Sequence, residues 1–256
     1  MNRLLRFLLP LRCLGCGVPI SDPPAGEAEP ALCLDCRLAL AEPPAPRCPR
    51  CDLPRGTGRL RPEFCGQCDD WPPIVRRAVA GVVLRPPADA LVQSLKYAGW
   101  RRAAEPMAER IARRLVAFPE LEGAPVVPVP TTERRERRRG YNQARVLAEA
   151  LARRRGVEVL DGLARRVGSA SQVALPRDER RANVSKAFVP GPDGSRIGAV
   201  SHTILVDDVL TTGATAGSAA EVLAALGSGA VTVAAFARAL PHPVGRPGGV
   251  RRPMFR

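Results

Sequence analysis

Eight cysteines lie between residues 13 and 68, all in Cys-x-x-Cys pairs: Cys13/Cys16, Cys33/Cys36, Cys48/Cys51 and Cys65/Cys68. A two-residue spacing lets one tight turn aim two sulfurs at one metal, and Gly15-Cys16-Gly17 supplies permissive backbone for it. The first two pairs are separated by 16 residues and the last two by 13, which suits two successive four-cysteine zinc ribbons. An interleaved cross-brace would use the same spacings, so spacing alone leaves the ligand pairing open. Four thiolates form a soft donor set that selects zinc over calcium or magnesium. Redox dithiols or disulfides are the alternative, disfavoured by Pro-rich, core-poor connections in a chain expected in the cytoplasm. With every position filled by sulfur, the two ions are structural rather than catalytic. So small a segment has too little core to fold unaided, and metal binding would supply much of its folding energy.

At 256 residues there is room for one full domain beside the cysteine-rich one. The joint falls at Asp69-Asp70-Trp71-Pro72-Pro73, where consecutive prolines end regular structure. The expected division is a double zinc ribbon over 1–72, an α/β domain over 73–240, and a disordered basic tail over 241–256. Within the second part the pattern predicts strands over 79–84, 125–129, 203–206 and 230–237. It predicts helices over 88–97, 103–118, 141–154 and 215–226. Alternation of this kind implies a parallel sheet with helices on both faces. Residues 163–189 are Arg-rich and weakly periodic, and read as a mobile loop with a short helix. No stretch reaches the roughly 18–20 apolar residues of a membrane helix. The opening Met1-Asn2-Arg3-Leu4-Leu5-Arg6-Phe7-Leu8-Leu9-Pro10 is too short and too soon interrupted for a signal peptide. It reads as a short amphipathic helix on a cytoplasmic protein.

The net charge is +14, from 39 Lys+Arg against 25 Asp+Glu, and only Lys96 and Lys186 are lysines. Residues 1–72 are balanced, so the whole excess sits in the second part. Guanidinium forks match phosphate geometry, which points to nucleotides, sugar phosphates or nucleic acid; an arginine bias of composition is the bland alternative. Aromatic residues make up only 4% of the chain, which weakens any reading that needs many base-stacking side chains.

The most informative run is Ile204-Leu205-Val206-Asp207-Asp208-Val209-Leu210-Thr211-Thr212-Gly213-Ala214-Thr215. An apolar strand is expected to end in two carboxylates, and a loop rich in hydroxyls to lead into a helix. Loop amides and the helix dipole make an anion site, to which Thr211, Thr212 and Thr215 add donors. Ligands of open α/β sheets sit at the carboxyl ends of strands, where this loop lies. Paired carboxylates would take the hydroxyls of a sugar and help place a metal held by the ligand. A ribose 5-phosphate unit satisfies both halves. The spacing lacks Gly-x-x-x-x-Gly-Lys, which disfavours a kinase or ATPase. His202 and His242 lie outside any motif, so no histidine-based triad is indicated.

Residues 206–215 resemble the phosphoribosyl pyrophosphate (PRPP) motif of type I phosphoribosyltransferases, and the remainder is similar to the ComF family of competence-related proteins. The likeness covers nearly the whole chain. It includes the cysteine-rich start, Leu95-Lys96-Tyr97, Val127-Pro128-Val129-Pro130, Arg139-Gly140-Tyr141-Asn142-Gln143, Gln172, Glu179-Arg180-Arg181-Ala182-Asn183-Val184 and Ala187-Phe188. The resemblance implies an α/β, type I phosphoribosyltransferase-like fold with a parallel central sheet, preceded by a small cysteine-rich zinc-ribbon region. It implies that Asp207 and Asp208 bind ribose hydroxyls, and that Thr211, Thr212, Gly213, Ala214 and Thr215 cradle the 5-phosphate. It also makes the segment from Thr131 and Thr132 the pyrophosphate loop, with Arg134, Arg137 and Arg139 as candidates to neutralise magnesium-bound pyrophosphate. Residues 165–181 would form a loop closing over PRPP.

No acceptor pocket is legible, and fold supports activity weakly. Three functions therefore compete. One is a PRPP- and magnesium-binding protein assisting single-stranded DNA in natural competence. The second is a salvage transferase acting on an unidentified base. The third is a PRPP-sensing adaptor whose zinc ribbons dock a partner such as a competence helicase.

Overall fold

The computed structural model describes residues 10–21, 29–55, 65–97, 99–166 and 187–241. The N-terminal helix expected before residue 10, the centre of the expected closing loop with Gln172, Arg180, Arg181 and Asn183, and the tail beyond 241 lie outside the described residues.

Four parallel strands form the central sheet in the order β1-β6-β5-β2: β1 Val75–Val83, β2 Val126–Pro128, β5 Thr203–Leu210 and β6 Val231–Arg238. Val206 of β5 stands between Pro128 of β2 and Ala234 of β6. Every residue of β6 (Val-Thr-Val-Ala-Ala-Phe-Ala-Arg) is buried, the near-continuous apolar run of a strand covered on both faces. One face carries α2 (Ala88–Tyr97), α3 (Ala104–Leu115) and α5 (Gln143–Arg155), whose Leu91, Ile111, Leu147 and Leu151 pack with Val79, Ile204, Val206 and Phe236. At Gly81 the sheet meets α3 so closely that a Cβ would lie 2.9 Å from Cβ of Arg110. The other face carries the short α6 (Gly194–Ile197) and α7 (Ala214–Ala225), whose Ile197, Ala219, Ala220 and Leu223 pack with Leu205, Val233 and Ala235.

Three differences from the sequence reading bear on the site. The strand expected over 203–206, with the two carboxylates at its end, continues to Leu210, so Asp207 and Asp208 lie within it. The segment expected as a pyrophosphate loop turns at once into α4 (Glu133–Arg139), because Thr132 Oγ1 accepts from Arg135 N at 3.3 Å and caps it. Gly140, in the left-handed region at φ 78°, ends that helix. Where a loop and helix were expected over 163–189, the described ends pair instead as an antiparallel ribbon, β3 (Leu163–Arg165) with β4 (Phe188–Pro190).

The cysteine-rich segment, with its short helix α1 (Leu34–Ala39), straddles the sheet at β1. Cys13, Leu32, Cys36 and Leu40 join the core on the α2–α3 face, whereas Cys48, Cys51, Cys68 and Trp71 join the core on the α7 face. β1 is an edge strand, and this segment supplies acceptors for its outward N–H groups. Ala78 N donates to Arg50 O at 2.7 Å, Ala80 N to Asp52 Oδ2 at 2.9 Å and Val83 N to Ala41 O at 2.8 Å. Arg114 of α3 completes the seam, donating to Ala80 O at 3.0 Å and to Asp52 Oδ1 at 3.0 Å.

The Asp52–Arg114 pair is nearly dry, with side-chain exposures of 7% and 12%. Asp52→Ala is therefore expected to cost about 3–5 kcal/mol, as for other broken buried pairs. Asp52→Asn, which keeps an acceptor for Ala80 N, should cost less. A loss below about 1 kcal/mol for Asp52→Ala in urea unfolding would show that this seam is unimportant.

Candidate functional site

Two groups of four sulfurs converge: Cys13, Cys16, Cys33 and Cys36 in one, Cys48, Cys51, Cys65 and Cys68 in the other, each with all sulfurs within 4.8 Å of one another. The ligand sets are thus sequential, and the interleaved arrangement is not adopted. A tetrahedral ion with metal–sulfur bonds of about 2.3 Å sets its sulfurs about 3.8 Å apart. The observed separations match: 3.7 Å for Cys16–Cys33, 3.8 Å for Cys48–Cys68 and 3.5 Å for Cys51–Cys65. All eight cysteines are free, and a disulfide would need about 2.05 Å.

Each group has one sulfur ready to ionise. Burial opposes ionisation of Cys13, but backbone N–H groups of Cys33, Cys16 and Gly15 outweigh it and bring the thiol down to about 6. Burial likewise opposes Cys48, and the amides of Cys51 and Arg50 bring it to about 6. Burial pushes Cys51 up to about 12, and burial with neighbouring sulfurs holds Cys36 and Cys68 higher still. A second thiolate beside the first therefore needs a cation to form, as a metal site requires.

The second centre lies at the carboxyl ends of β5 and β2. Asp208 is buried, and Lys96 of α2 ion-pairs with its Oδ2. Asp207 is half-buried, and its Oδ1 accepts from Asp208 N at 2.8 Å. Burial pushes the Asp207 carboxyl well above the usual carboxylate range, and the Asp208 charge pushes it further. Beyond Leu210 the chain turns through Thr211, Thr212 and Gly213 into α7, with Gly213 at φ 84° as the N-terminal cap residue. The side chains of Thr211, Thr212 and Thr215 are exposed. The N–H groups of Thr211, Thr212 and Gly213 make no backbone hydrogen bond among the described residues.

Thr131, three residues beyond Pro128 in the neighbouring strand, reaches the same edge of the sheet. Its Oγ1 is buried without a partner among the described residues, and so is Nε of Arg139. Such orphaned groups need a ligand or water to satisfy them. Arg139 lies with its guanidinium 5.1 Å from the ring centre of Tyr97, donates to Gln143 Oε1 at 2.6 Å, and adjoins the Lys96–Asp208 pair through Tyr97. Arg134 is exposed on α4, and Arg137 is occupied by Glu133 at 3.0 Å. Asn142 caps α5, accepting from Ala144 N at 3.0 Å while its Nδ2 donates to Val129 O at 3.1 Å, so its role is to fix the β2–α4–α5 connection.

The DNA utilization protein YhgH of Salmonella typhi is 32% identical over 203 residues, which span 75% of this chain and 84% of that protein. The chain belongs to the ComF family. The YhgH protein of Escherichia coli (strain K12) is 30% identical over 199 residues, with 75% and 84% covered. Competence protein F of Haemophilus influenzae is 35% identical over 115 residues, covering 44% of this chain and 50% of that one. No family model matches the chain. A solved structure of the allosteric regulatory enzyme of purine biosynthesis overlaps 52% of this chain and 26% of its own at 18% identity. Its TM-score is 0.32, too slight a likeness to carry an argument.

Within this ComF chain, the Leu95-Lys96-Tyr97 motif has three distinct jobs. The carbonyl of Leu95 accepts from the Tyr141 hydroxyl, Lys96 reaches Asp208, and Tyr97 lies exposed beneath Arg138 and Arg139. The Lys96–Asp208 pair escaped the sequence reading, which recognised Lys96 only as part of a motif. Trp71 and Arg238, both touching the turn, escaped it too. No helix among the described residues is long and apolar enough to cross a membrane.

A raised Asp207 pKa means that the folded chain holds this proton more tightly than the unfolded one. Ionisation of Asp207 therefore opposes folding, a penalty absent below about pH 4 and complete once the pH exceeds the folded value. Asp207→Asn should accordingly raise Tm at neutral pH, each kcal/mol being worth about 2–4 °C at this chain length. Asp208→Asn, which abandons Lys96, should lower Tm. Thermal unfolding at pH 5 and pH 8 checks both signs, and a fall in Tm for both variants would contradict the assignment.

Proposed function

We propose that this ComF-family protein binds PRPP with magnesium where β5 and β2 end, and that an adjoining surface takes single-stranded DNA. The observation that carries the first part is the β5–turn–α7 corner. There, backbone N–H groups with no backbone partner among the described residues and three exposed threonine hydroxyls stand beside two carboxylates, of which Asp207 is held at a cost in stability. The N–H groups and hydroxyls suit a 5-phosphate, while Asp207 and Asp208 suit ribose hydroxyls. The orphaned Thr131 hydroxyl and Arg139 suit a pyrophosphate and its magnesium. The two four-sulfur groups suit structural zinc.

Calorimetric titration is expected to show PRPP binding that strengthens with magnesium, and Asp207→Asn with Asp208→Asn should weaken it at least ~10-fold. A wild-type chain with no heat of binding would remove the reading. A screen of nucleobases for pyrophosphate release then separates a salvage transferase from a binding protein.

A second observation favours single-stranded nucleic acid beside this site. Tyr97 is 62% exposed and Trp100 48% exposed in a chain with few aromatics. Arg138 lies over Tyr97 and Arg102 over Trp100, while Arg101 is exposed beside them. Next to them α4 presents five arginines against two glutamates. Exposed rings can stack bases and the arginines can take phosphates. The relatives' name, DNA utilization protein, agrees with this.

Tyr97→Ala with Trp100→Ala should weaken single-stranded DNA binding at least ~10-fold, since stacking is worth about 1–3 kcal/mol per base. Arg138→Gln should reduce the salt slope of binding by about one unit. Fluorescence anisotropy with an oligonucleotide measures both, and unaltered affinity in the double variant would remove this surface.

A further inference from the structure

Three successive carbonyls of the β5–α7 turn are held from behind by side chains that no sequence motif singled out. Arg238, at the end of β6, donates through Nη1 to Leu210 O at 2.9 Å and also to Thr211 O. Trp71 donates through Nε1 to Thr212 O at 3.0 Å. A trans peptide plane points its carbonyl and its N–H in opposite directions. Tying these oxygens back therefore turns the N–H groups of the next residues towards the open side, where an anion would sit. A carbonyl left facing that side would repel it.

Trp71 also fixes the path of the turn. It packs on Gly213 so closely that a Cβ there would lie 2.2 Å from Cζ2 of the indole. Arg238 is fully buried, and among the described residues its Nε and Nη2 have no hydrogen-bond partner and no carboxylate pairs with it. A lone buried cation is costly to maintain. Beneath an anion-binding turn it adds to the positive field of the amides and of the α7 N-terminus.

Trp71 is in turn held by the second cysteine group. Arg50, between Cys48 and Cys51, donates to the carbonyls of Cys68 (2.9 Å), Trp71 (2.8 Å), Pro72 (3.0 Å) and Val75 (3.3 Å). Trp71 N donates to Cys68 O at 3.2 Å. The first cysteine group packs on the opposite face, against α2 and α3, and has no such connection among the described residues.

We propose that Trp71 and Arg238 are positioning residues of the phosphate turn, and that the second cysteine group, acting through Arg50 and Trp71, is a structural part of that site while the first is not. The proposal rests on the PRPP reading and assigns its 5-phosphate half to this clamp.

The test uses the full chain with Trp100→Phe as reference, which leaves Trp71 as the sole tryptophan of the two. Ribose 5-phosphate and inorganic pyrophosphate are titrated separately. Trp71→Phe keeps a ring on Gly213 but loses the N–H, and should weaken ribose 5-phosphate roughly 3- to 10-fold while leaving pyrophosphate unchanged. Arg238→Lys, which replaces a fork by a single point of contact, should show the same selectivity. Cys65→Ser should red-shift Trp71 emission and weaken ribose 5-phosphate, whereas Cys16→Ser should do neither. Should Cys65→Ser fail to fold, the two positioning variants decide the matter.

Equal weakening of both ligands would mean a general loss of structure and would overturn the clamp. So would unaltered ribose 5-phosphate affinity in Trp71→Phe and Arg238→Lys while the reference chain binds PRPP. A reference chain that binds neither PRPP nor ribose 5-phosphate removes the PRPP reading itself, and the clamp with it.

Discussion

Ala78, Ala80 and Val83 turn their N–H groups outward from the edge of a parallel sheet buried on both faces, and the acceptors all come from the cysteine-rich segment. An uncovered edge of this kind is an invitation to pair with other chains. Covering it with a loop creates a second difficulty, because a loop with little apolar content has no reason to hold one conformation. Four cysteine sulfurs gathered on each side of β1 supply that reason. Sulfur groups in the two cores, an Asp52 carboxylate in the seam and Arg114 behind it make the segment part of the sheet's completion. Deleting residues 1–72 would open both cores, so it could not isolate a docking role for them.

The same dependence reaches the candidate site. Closing the β1 edge fixes the chain up to Trp71, and Trp71 rests on the turn after β5. On the opposite side of the sheet, α2 brings Lys96 to Asp208. The two carboxylates are therefore unequal. Asp208 has a cation and stabilises the fold, whereas Asp207 is crowded by burial and by its neighbour's charge. Tension of this kind is relieved by donors that arrive with a ligand, which is where a sugar's hydroxyls would act.

Much of this was legible in the sequence wherever a short-range pattern encodes it. The Cys-x-x-Cys spacing gave the sulfur groups, apolar runs gave the four central strands, and the threonine-rich run after β5 gave the strand–turn–helix corner. Other features were hidden for physical reasons. The partition of eight cysteines into two sets depends on where the loops pass, not on their lengths. Asp207 and Asp208 read as the end of a strand because charge ordinarily marks exposure, yet ladder bonding to β6 carries the strand past them to Leu210. α4 has no apolar face to give it periodicity; only Thr132 and Gly140 mark its ends. The β3–β4 ribbon joins segments more than twenty residues apart, and the burial of Arg238 contradicts what its residue type leads one to expect.

Lys96 shows why residue type matters more here than charge. The chain has two lysines among 39 basic residues, and one of them stands on Asp208. An arginine in its place would present a planar fork able to engage both carboxylate oxygens. A lysine offers a single ammonium on a flexible stem, and in this structure it reaches Oδ2. A point contact of this kind need not occupy the whole carboxylate, and on the reading proposed above a sugar hydroxyl would share it. On the reading proposed above, a site that neutralises its own carboxylate and then admits a phosphorylated sugar would be better served by the point charge than by the fork.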